Sequence, residues 1–244
     1  MARYAGSKRE TGSVPVLDRN GVAIHYETYG TGPAILLTHG YSASTAMWQP
    51  NIEALSAHHT LILWDIRGHG RSAAPDDPAL YSREASVADM AALLDHLGVD
   101  TAIIGGLSLG GYLSLAFNVA HPERVRALLI FDTGPGYRNP VAREQWNRTA
   151  IESGETHGST GLRLAARGIL TQKDAAVLDS LSGISVPTLV LAGENDTPFL
   201  KATQVMGAKI PHARTCLIAD AGHTANSDQP DAFNAAVCDF LAGC

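Results

Sequence analysis

The chain has few cysteines, and their positions exclude two common uses of that residue. Three cysteines occur in 244 residues, so they cannot all pair in disulfides, and none lies in a Cys-x-x-Cys motif. We expect Cys216, Cys238 and Cys244 to be reduced thiols, two of them in or near core elements and one at the C-terminal end. Reduced thiols, together with the lack of an apolar signal-peptide core in MARYAGSKRE, predict a cytoplasmic protein.

Positive charge and long apolar runs are also scarce. Lysine and arginine total 18 against 24 acidic residues, which gives a net charge of −6. This excess of negative charge does not indicate binding to nucleic acid or to an anionic membrane, both of which favour basic proteins. No apolar run is long enough to span a bilayer, and no internal repeat is present. With 45% apolar and 17% charged residues, the composition is typical of a globular domain that buries its core without disulfides or metal.

The most informative motif is a serine flanked by glycines, GGLSLGG at residues 105–111. Apolar residues before it predict a strand, and the residues after it predict a helix. A strand, Gly-x-Ser-x-Gly and a helix are typical of a nucleophile elbow, a turn so tight that Gly106 and Gly110 leave no room for side chains. Ser108 would then lie at a helix N-terminus, where backbone N–H groups favour developing negative charge.

Two other glycine-rich motifs do not fit the same residues. A phosphate-binding P-loop requires Lys and then Ser or Thr after its last glycine, but Gly110 is followed by Gly111 and Tyr112. The dinucleotide fingerprint Gly-x-Gly-x-x-Gly, counted from Gly105, has Leu107 where its second glycine should be. The serine motif is the interpretation that remains.

The apolar segments predict an α/β fold with a mostly parallel open sheet and helices on both faces. Residues 14–28 indicate a β-hairpin that turns at Asn20-Gly21 and forms one edge of the sheet. Strands and helices then alternate, as in a parallel sheet. The predicted strands are 34–38, 61–64, 101–104, 125–131, 189–192 and 214–218, and the predicted helices are 46–57, 84–97, 112–121 and 231–241.

One long segment interrupts this alternation. Residues 134–183 are polar and helix-compatible, contain no predicted strand, and are too long for a plain loop. We interpret them as a small helical cap over the carboxyl ends of the strands, where ligands bind in such sheets. The core that contains the sheet would comprise residues 1–133 and 184–244. Trp146 and Tyr137, in or near this cap, either line a pocket or pack on the cap surface.

A serine nucleophile needs a base, which follows it in chain order in this fold. Among the downstream histidines, His121 lies in a turn, His157 in the cap and His212 before the last strand. His223 follows the last strand, in a loop at the same sheet edge as Ser108. We therefore expect His223 to be the base.

Three carboxylates are candidates for the acid that orients the base. Asp196 and Glu194 lie in the loop after the strand at 189–192, and Asp132 follows the strand at 125–131. Either aspartate could reach the histidine from its strand end, so geometry alone does not choose between them. We favour Asp196, with Asp132 as the alternative acid. The unused carboxylates would cap a helix or form a turn.

Four motifs are typical of one superfamily. They are Thr38-His-Gly-Tyr41, Asp65-Ile-Arg-Gly-His-Gly-Arg-Ser72, the elbow, and Gly193-Glu-Asn-Asp196 with Gly222-His223. With them, the chain resembles the α/β-hydrolase fold superfamily, in its serine carboxylesterase, lactonase and peroxidase-like branch. The resemblance implies Asp196 as the acid and His223 as the base, with no cofactor and no metal.

The resemblance also implies an oxyanion hole. The loop after an early strand supplies one N–H, which by position belongs to Tyr41, and Leu109 after the nucleophile supplies the other. His39 and Gly40 support this loop, with His39 bracing it. Only one glycine follows His39, unlike the lipase His-Gly-Gly-Gly pattern, which disfavours tertiary-alcohol and large-lipid substrates. The segment 65–72 is expected to brace a strand end.

The sequence thus predicts a serine hydrolase that cleaves a small carboxylic ester or lactone through an acyl-enzyme intermediate. One alternative keeps the same residues but hydrolyses a carbon–carbon bond in products of aromatic ring cleavage. Another is a non-catalytic receptor for a small ligand. Ser108 disfavours dehalogenase and epoxide hydrolase chemistry, which need an aspartate at the elbow. The expected partner is a small-molecule substrate, the short cap predicts an open site, and the oligomeric state is not predicted.

Overall fold

An eight-stranded, mostly parallel sheet forms the centre of the computed structural model, which describes residues 15–243. The strands are β1 (Val16–Arg19), β2 (Val22–Tyr29), β3 (Ala34–Thr38), β4 (Thr60–Trp64), β5 (Ala102–Leu107), β6 (Val125–Phe131), β7 (Thr188–Gly193) and β8 (Ala213–Ile218). They lie in the order β1-β2-β4-β3-β5-β6-β7-β8. The β1–β2 and β2–β4 pairs are antiparallel, and the other neighbouring pairs are parallel. The predicted fold class is confirmed.

Helices pack on both faces of this sheet. They are α1 (Ile52–Ser56), α2 (Arg83–His96), α3 (Leu109–Ala120), α4 (Pro140–Thr156), α5 (Thr160–Ala165), α6 (Ala176–Ser180), α7 (Thr197–Lys209), α8 (Ala225–Asp228) and α9 (Pro230–Leu241). Short 3-10 segments at Thr45–Asn51, Pro78–Leu80, Pro122–Arg124 and Leu181–Gly183, and a π turn at Ala166–Leu170, join them. Among residues 15–243, no helix has the length and apolar character needed to cross a bilayer.

The central strands are buried on both faces, which explains their continuous apolar sequences. Successive residues of β3 point into opposite layers of the core. Ile35 and Leu37 belong to the cluster that contains Phe233 of α9. Leu36 belongs to the cluster that contains Phe117 of α3. The sheet therefore separates two apolar layers, and its parallel strands β3 to β8 have their carboxyl ends at the same edge.

The predicted hairpin is confirmed, and it lies at the edge of the sheet. Strand β1 pairs antiparallel with β2, and Asn20 and Gly21 between them have positive φ values of 55° and 85°, as a tight hairpin turn requires. Val14, the segment MARYAGSKRE and Cys244 lie outside the described residues. Cys216 and Cys238 are free thiols, each partly buried.

Two helical regions differ from the prediction. The predicted helix at 46–57 is wrong over its first half, because Thr45–Asn51 is a 3-10 helix and only Ile52–Ser56 is α-helical. Pro50 has no N–H to donate and its ring clashes with the preceding turn of an α-helix. Helix α7 is absent from the predicted elements, although Pro198 in its first turn is a helix-start signal.

Between β6 and β7 the chain contains helices α4, α5 and α6 and no strand. Side chains from the loop after β3 and from the start of α2 contact this helical segment. Tyr41 Oη donates to the carbonyl oxygen of Leu162 at 2.9 Å, and Arg83 forms an ion pair with Asp174 at 3.0 Å. These contacts hold the segment against the loops that follow the strands.

Candidate active site

Ser108 occupies a sharp turn between β5 and α3. Its backbone has φ 56° and ψ −116°, a conformation that a residue with a side chain rarely adopts. The Ser108 N–H donates to the carbonyl of Phe131 at 2.9 Å, and Thr133 Oγ1 donates to the Ser108 carbonyl oxygen at 2.7 Å. Strand β6 and the residues after it thus hold the strained turn in place.

Close backbone contacts explain the glycines around this serine. A Cβ at Gly106 would lie 2.5 Å from the carbonyl oxygen of Thr38 and 2.6 Å from the carbonyl carbon of Gly110. A Cβ at Gly110 would lie 2.1 Å from the same Thr38 oxygen. Because the neighbours are backbone atoms, they cannot rotate away. The approach of β3, β5 and α3 therefore requires glycine at both positions.

The loop after β8 brings His223 to Ser108. Nε2 of His223 lies 3.0 Å from Oγ of Ser108, within the reach of a general base. The Asn195 N–H, in the loop after β7, donates to the carbonyl oxygen of Ala221 at 2.8 Å, which ties the two loops together. The His223 side chain is 42% exposed, so water has access to it.

Asp196, rather than Asp132, is hydrogen-bonded to His223. Oδ2 of Asp196 lies 2.9 Å from Nδ1 of His223, and this carboxylate is buried. Asp132 is also buried, but its Oδ1 accepts a hydrogen bond from the Gly193 N–H at 2.8 Å. Glu194 is exposed. The structure thus brings Ser108, His223 and Asp196 into one hydrogen-bonded chain, with Asp132 beside it.

Opposing effects act on the pKa of His223. Burial lowers this pKa, but the hydrogen bond and charge of Asp196, aided by the charges of Asp132 and Asp228, raise it by more, so that the net shift is upward. An imidazole in this setting is stabilised as its cation, the form that it takes after accepting a proton. Burial also raises the pKa of Asp132 to about 7, although the Gly193 N–H opposes the shift.

The backbone around the serine offers hydrogen-bond donors. Leu109 is the first residue of α3, so its N–H has no carbonyl partner within the helix. A Cβ at Gly40 would lie 3.5 Å from the Cβ of Ser108, so the loop that contains Gly40 and Tyr41 passes next to the serine. A backbone donor such as the Leu109 N–H suits the oxyanion of an acyl-transfer intermediate.

His39 links two loops and has no free ring nitrogen. Its Nδ1 lies 2.7 Å from the carbonyl oxygen of Gly40, and its Nε2 accepts from the Ile66 N–H at 3.0 Å. Burial lowers the pKa of His39 to about 4, against the smaller effect of the Gly40 carbonyl, so the ring is neutral at pH 7. Its geometry is that of a brace for the loop before Tyr41.

The other histidines considered as a base lie elsewhere. His121 packs on Phe117 with ring centroids 5.1 Å apart. His157 packs edge-on against Tyr41 at 5.5 Å, and His212 is exposed just before β8. Within the part of the chain that the structure describes, no cluster of three or more His, Cys, Asp or Glu side chains could hold a metal ion.

A cavity of about 410 Å³ opens beside Ser108. It is lined by Ser108, Leu109, Tyr112, Thr133, Gly134, Pro135, Gly136, Tyr137, Arg138, Asn139, Trp146, Leu170, Gln172, Leu178, Pro198, Phe199, Lys201, Ala202 and Val205. Most of these side chains are apolar. The lining residues come from the β5–α3 turn and the start of α3, from the β6–α4 connection, from the segment that runs from α4 to α6, and from α7. Trp146 and Tyr137 line the cavity.

Phe199 is a residue of the site that the sequence motifs missed. Its ring stacks on the imidazole of His223, with centroids 4.9 Å apart, and Trp146 meets it edge-on at 6.5 Å. Phe199 lies in the first turn of α7, three residues after Asp196. A prediction of α7 would have placed this ring near the base.

Comparison with known proteins agrees with this fold. A profile of the α/β-hydrolase fold family matches residues 33–152. The chain is 27% identical to a putative 2-succinyl-6-hydroxy-2,4-cyclohexadiene-1-carboxylate synthase of Bacillus subtilis, over 94% of this chain and 98% of that protein. The enol-lactonase from Burkholderia xenovorans LB400 has a similar structure, with a TM-score of 0.79 and 28% identity over 93% of this chain and 100% of that one.

A thermophilic esterase from Thermogutta terrifontis is similar as well, with a TM-score of 0.80 and 28% identity over 94% of this chain and 97% of that one. These similarities extend over nearly the whole length of both chains. The chain has the α/β-hydrolase fold.

Proposed function

We propose that this protein is a serine hydrolase that cleaves a small carboxylic ester or a lactone through an acyl-enzyme intermediate. The observation that carries the proposal is the hydrogen-bonded chain from Ser108 Oγ to His223 Nε2 at 3.0 Å and from His223 Nδ1 to Asp196 Oδ2 at 2.9 Å. A serine hydroxyl becomes a nucleophile when a base removes its proton, and the base needs a third group to orient it.

The proposed reaction has two halves. Ser108 Oγ attacks the carbonyl carbon while His223 accepts the hydroxyl proton, and the carboxylate of Asp196 stabilises the imidazolium. The N–H groups of Tyr41 and Leu109 bind the oxyanion. His223 then gives its proton to the leaving alkoxide, which departs as an alcohol. Water, deprotonated by the same histidine, attacks the acyl-enzyme, and the carboxylic acid is released as Ser108 regains its proton.

We further propose that residues 134–183 form a cap, on a core made of residues 1–133 and 184–244. The cavity beside Ser108 draws its walls from both parts, and its volume of about 410 Å³ suits a small molecule. The similarity to an enol-lactonase and to an esterase supports oxygen-ester substrates. The sequence also allows two alternatives, carbon–carbon bond hydrolysis and a non-catalytic receptor role. The cytoplasmic location is likewise a prediction from the sequence.

Hydrolysis assays with matched variants test the proposal. The wild-type protein is expected to hydrolyse 4-nitrophenyl acetate or a γ- or δ-lactone, and Ser108→Ala to lose at least 10⁴-fold in kcat, in line with about 2 × 10⁶ for a comparable nucleophile. Ser114→Ala is the control, because Ser114 lies in the same helix but its hydroxyl donates to the Gly110 carbonyl at 2.8 Å. Near-wild-type turnover by Ser108→Ala would refute the proposal.

The alternatives give different results in the same experiment. A ring-cleavage product with a vinylogous 1,5-diketone, assayed beside the esters, would be the preferred substrate of a carbon–carbon bond hydrolase. A receptor would bind a small ligand and turn over none of these compounds. Preferred turnover of esters or lactones would support the proposed activity over both.

A further inference from the structure

The charged side chains that line the cavity have one sign. Among the cavity-lining residues in the described range 15–243, Arg138 and Lys201 are the cations, and none is an aspartate or glutamate. This contrasts with the whole chain, whose net charge is −6. A positive cavity in an acidic protein favours ligands that carry negative charge.

The two cations differ in their partners. Arg138 pairs with Asp179, so its charge is already balanced. Lys201 has neither an ion pair nor a hydrogen bond from its side chain to any residue in the range 15–243. It is exposed and therefore lies at the open side of the cavity. Of the two cations that the described part of the chain places in the cavity wall, Lys201 is thus the one without a compensating charge.

The position of Lys201 in α7 explains its place in the cavity wall. Pro198, Lys201 and Val205 all line the cavity, and their spacing puts them on one face of the helix. Thr203 and Met206, on another face, are buried. Pro198 and Val205 place an apolar surface on either side of Lys201, along which the methylene groups of a lysine can lie while the ammonium remains in water.

Helix stability does not account for a lysine at this position. The helix dipole favours cations near the C-terminal end of a helix, and Lys209 occupies the last turn of α7. Lys201 lies one turn from the N-terminal end, where a cation gains nothing from the dipole. Both lysines thus belong to α7, but Lys201 is among the cavity-lining residues and Lys209 is not.

We propose that the substrate carries a carboxylate, which the ammonium of Lys201 binds while the ester or lactone carbonyl lies at Ser108. This inference rests on the proposed function and narrows its substrate class. The apolar walls at Leu170, Leu178 and Val205 favour a hydrocarbon segment between the two groups. One unpaired ammonium balances one negative charge, whereas a dianionic phosphate would keep an unbalanced charge against mostly apolar walls.

Paired substrates test this assignment. The first series is the mono-4-nitrophenyl esters of succinic, glutaric and adipic acid, each beside its terminal amide, which is neutral and of nearly the same shape. The second series is the acetate esters of 3-hydroxypropanoate and 4-hydroxybutanoate beside their amides, which place the carboxylate on the alcohol side. The quantity measured is the ratio of kcat/KM for the acid to kcat/KM for the amide.

The variants are Lys201→Met and Lys209→Met. In at least one series, Lys201→Met is expected to lower the ratio about tenfold, which corresponds to one hydrogen bond between charged groups. The loss should lie mainly in KM, because the carboxylate does not change during the reaction. Lys209→Met should keep the wild-type ratio. Added salt should reduce the preference of the wild-type protein and leave that of Lys201→Met unchanged.

Two results would overturn the assignment, and they are distinguishable. Equal rates for acid and amide in both series, or an equal loss for both compounds in Lys201→Met, would refute the role of Lys201 and leave the hydrolase proposal standing. No Ser108-dependent hydrolysis of any compound, simple esters and lactones included, would refute the proposed function, and the carboxylate assignment would fall with it.

Discussion

The ring of Phe199 stacks on the imidazole of His223, with the ring centroids 4.9 Å apart and the planes inclined by 25°. Phe199 lines the cavity and is itself supported by the edge-on contact with Trp146. One aromatic side chain therefore belongs both to the wall of the candidate substrate cavity and to the support of the candidate base. This contact limits the rotation of an imidazole that is 42% exposed.

Removing this ring should weaken catalysis without abolishing it. An aromatic pair contributes about 0.5–1.5 kcal/mol beyond its buried area, so Phe199→Leu is expected to lower kcat for 4-nitrophenyl acetate by about 2- to 12-fold. Phe199→Tyr keeps the ring and should retain most of the activity. If kcat is the same in Phe199→Leu and in the wild-type protein, the stacking contact has no role in positioning His223.

The two buried aspartates near His223 should differ sharply in their effect on turnover. Asp196 is hydrogen-bonded to the imidazole, whereas Asp132 accepts a hydrogen bond from the Gly193 N–H. Asp196→Asn is therefore expected to lower kcat by about 10³- to 10⁴-fold, as the loss of a triad acid does. Asp132→Asn, its matched control, should lose less than about tenfold. The opposite order would identify Asp132 as the acid.

Asp132 should make folding stability depend on pH. Burial raises the pKa of Asp132 to about 7 in the folded chain, above the unfolded value of about 3.9. The folded state then holds the proton more tightly, so this group's contribution to stability is fully present below about pH 4 and is lost as the pH rises through about 7. At pH 8 the deprotonated carboxylate destabilises the fold.

Asp132→Asn removes this titration and keeps an oxygen that can accept from the Gly193 N–H. The quantity compared is the Tm of this variant minus the Tm of the wild-type protein. This difference should be about 5 °C larger at pH 8 than at pH 5. His223 titrates in both proteins, so the part of its contribution that does not depend on the Asp132 charge cancels in the comparison. Thermal unfolding followed by circular dichroism at the two pH values checks the prediction, and a difference that is equal at both, or larger at pH 5, contradicts it.

The three residues of the hydrogen-bonded chain could be predicted because each follows a strand of a parallel sheet. Ser108 follows β5, Asp196 lies in the loop after β7, and His223 lies in the loop after β8. Parallel strands end at the same edge, and loops at that edge form the ligand sites of such sheets. Chain order and glycine spacing therefore point to Ser108 and His223, and they place the acid in a loop after β6 or β7.

The choice between the two aspartates depended on loop geometry that spacing does not encode. Strands β6 and β7 are neighbours, and Phe131 pairs with Leu191, so Asp132 and Asp196 leave the sheet close together. Asp132 has a positive φ of 45°, and its carboxylate turns to the Gly193 N–H. Residue spacing does not determine this backbone angle.

The cavity could not be predicted for a different reason. Its walls combine Trp146 of α4 with Phe199 and Lys201 of α7, which lie about 50 residues apart in the chain. Tertiary packing brings them together, and no local pattern in either helix shows the contact. Because helix α7 was not predicted, the stacking of Phe199 on His223 was not predicted either.

The most direct test of the central claim is covalent labelling of the intact protein by a fluorophosphonate, followed by mass spectrometry. A serine activated by His223 should take up one phosphonyl group on Ser108, with no adduct in Ser108→Ala and much slower labelling in His223→Ala. Peptide mapping locates the adduct, and Ser114→Ala should label like the wild-type protein. Absence of labelling in the wild-type protein, or an adduct on another residue, would contradict the assignment of Ser108 as an activated nucleophile.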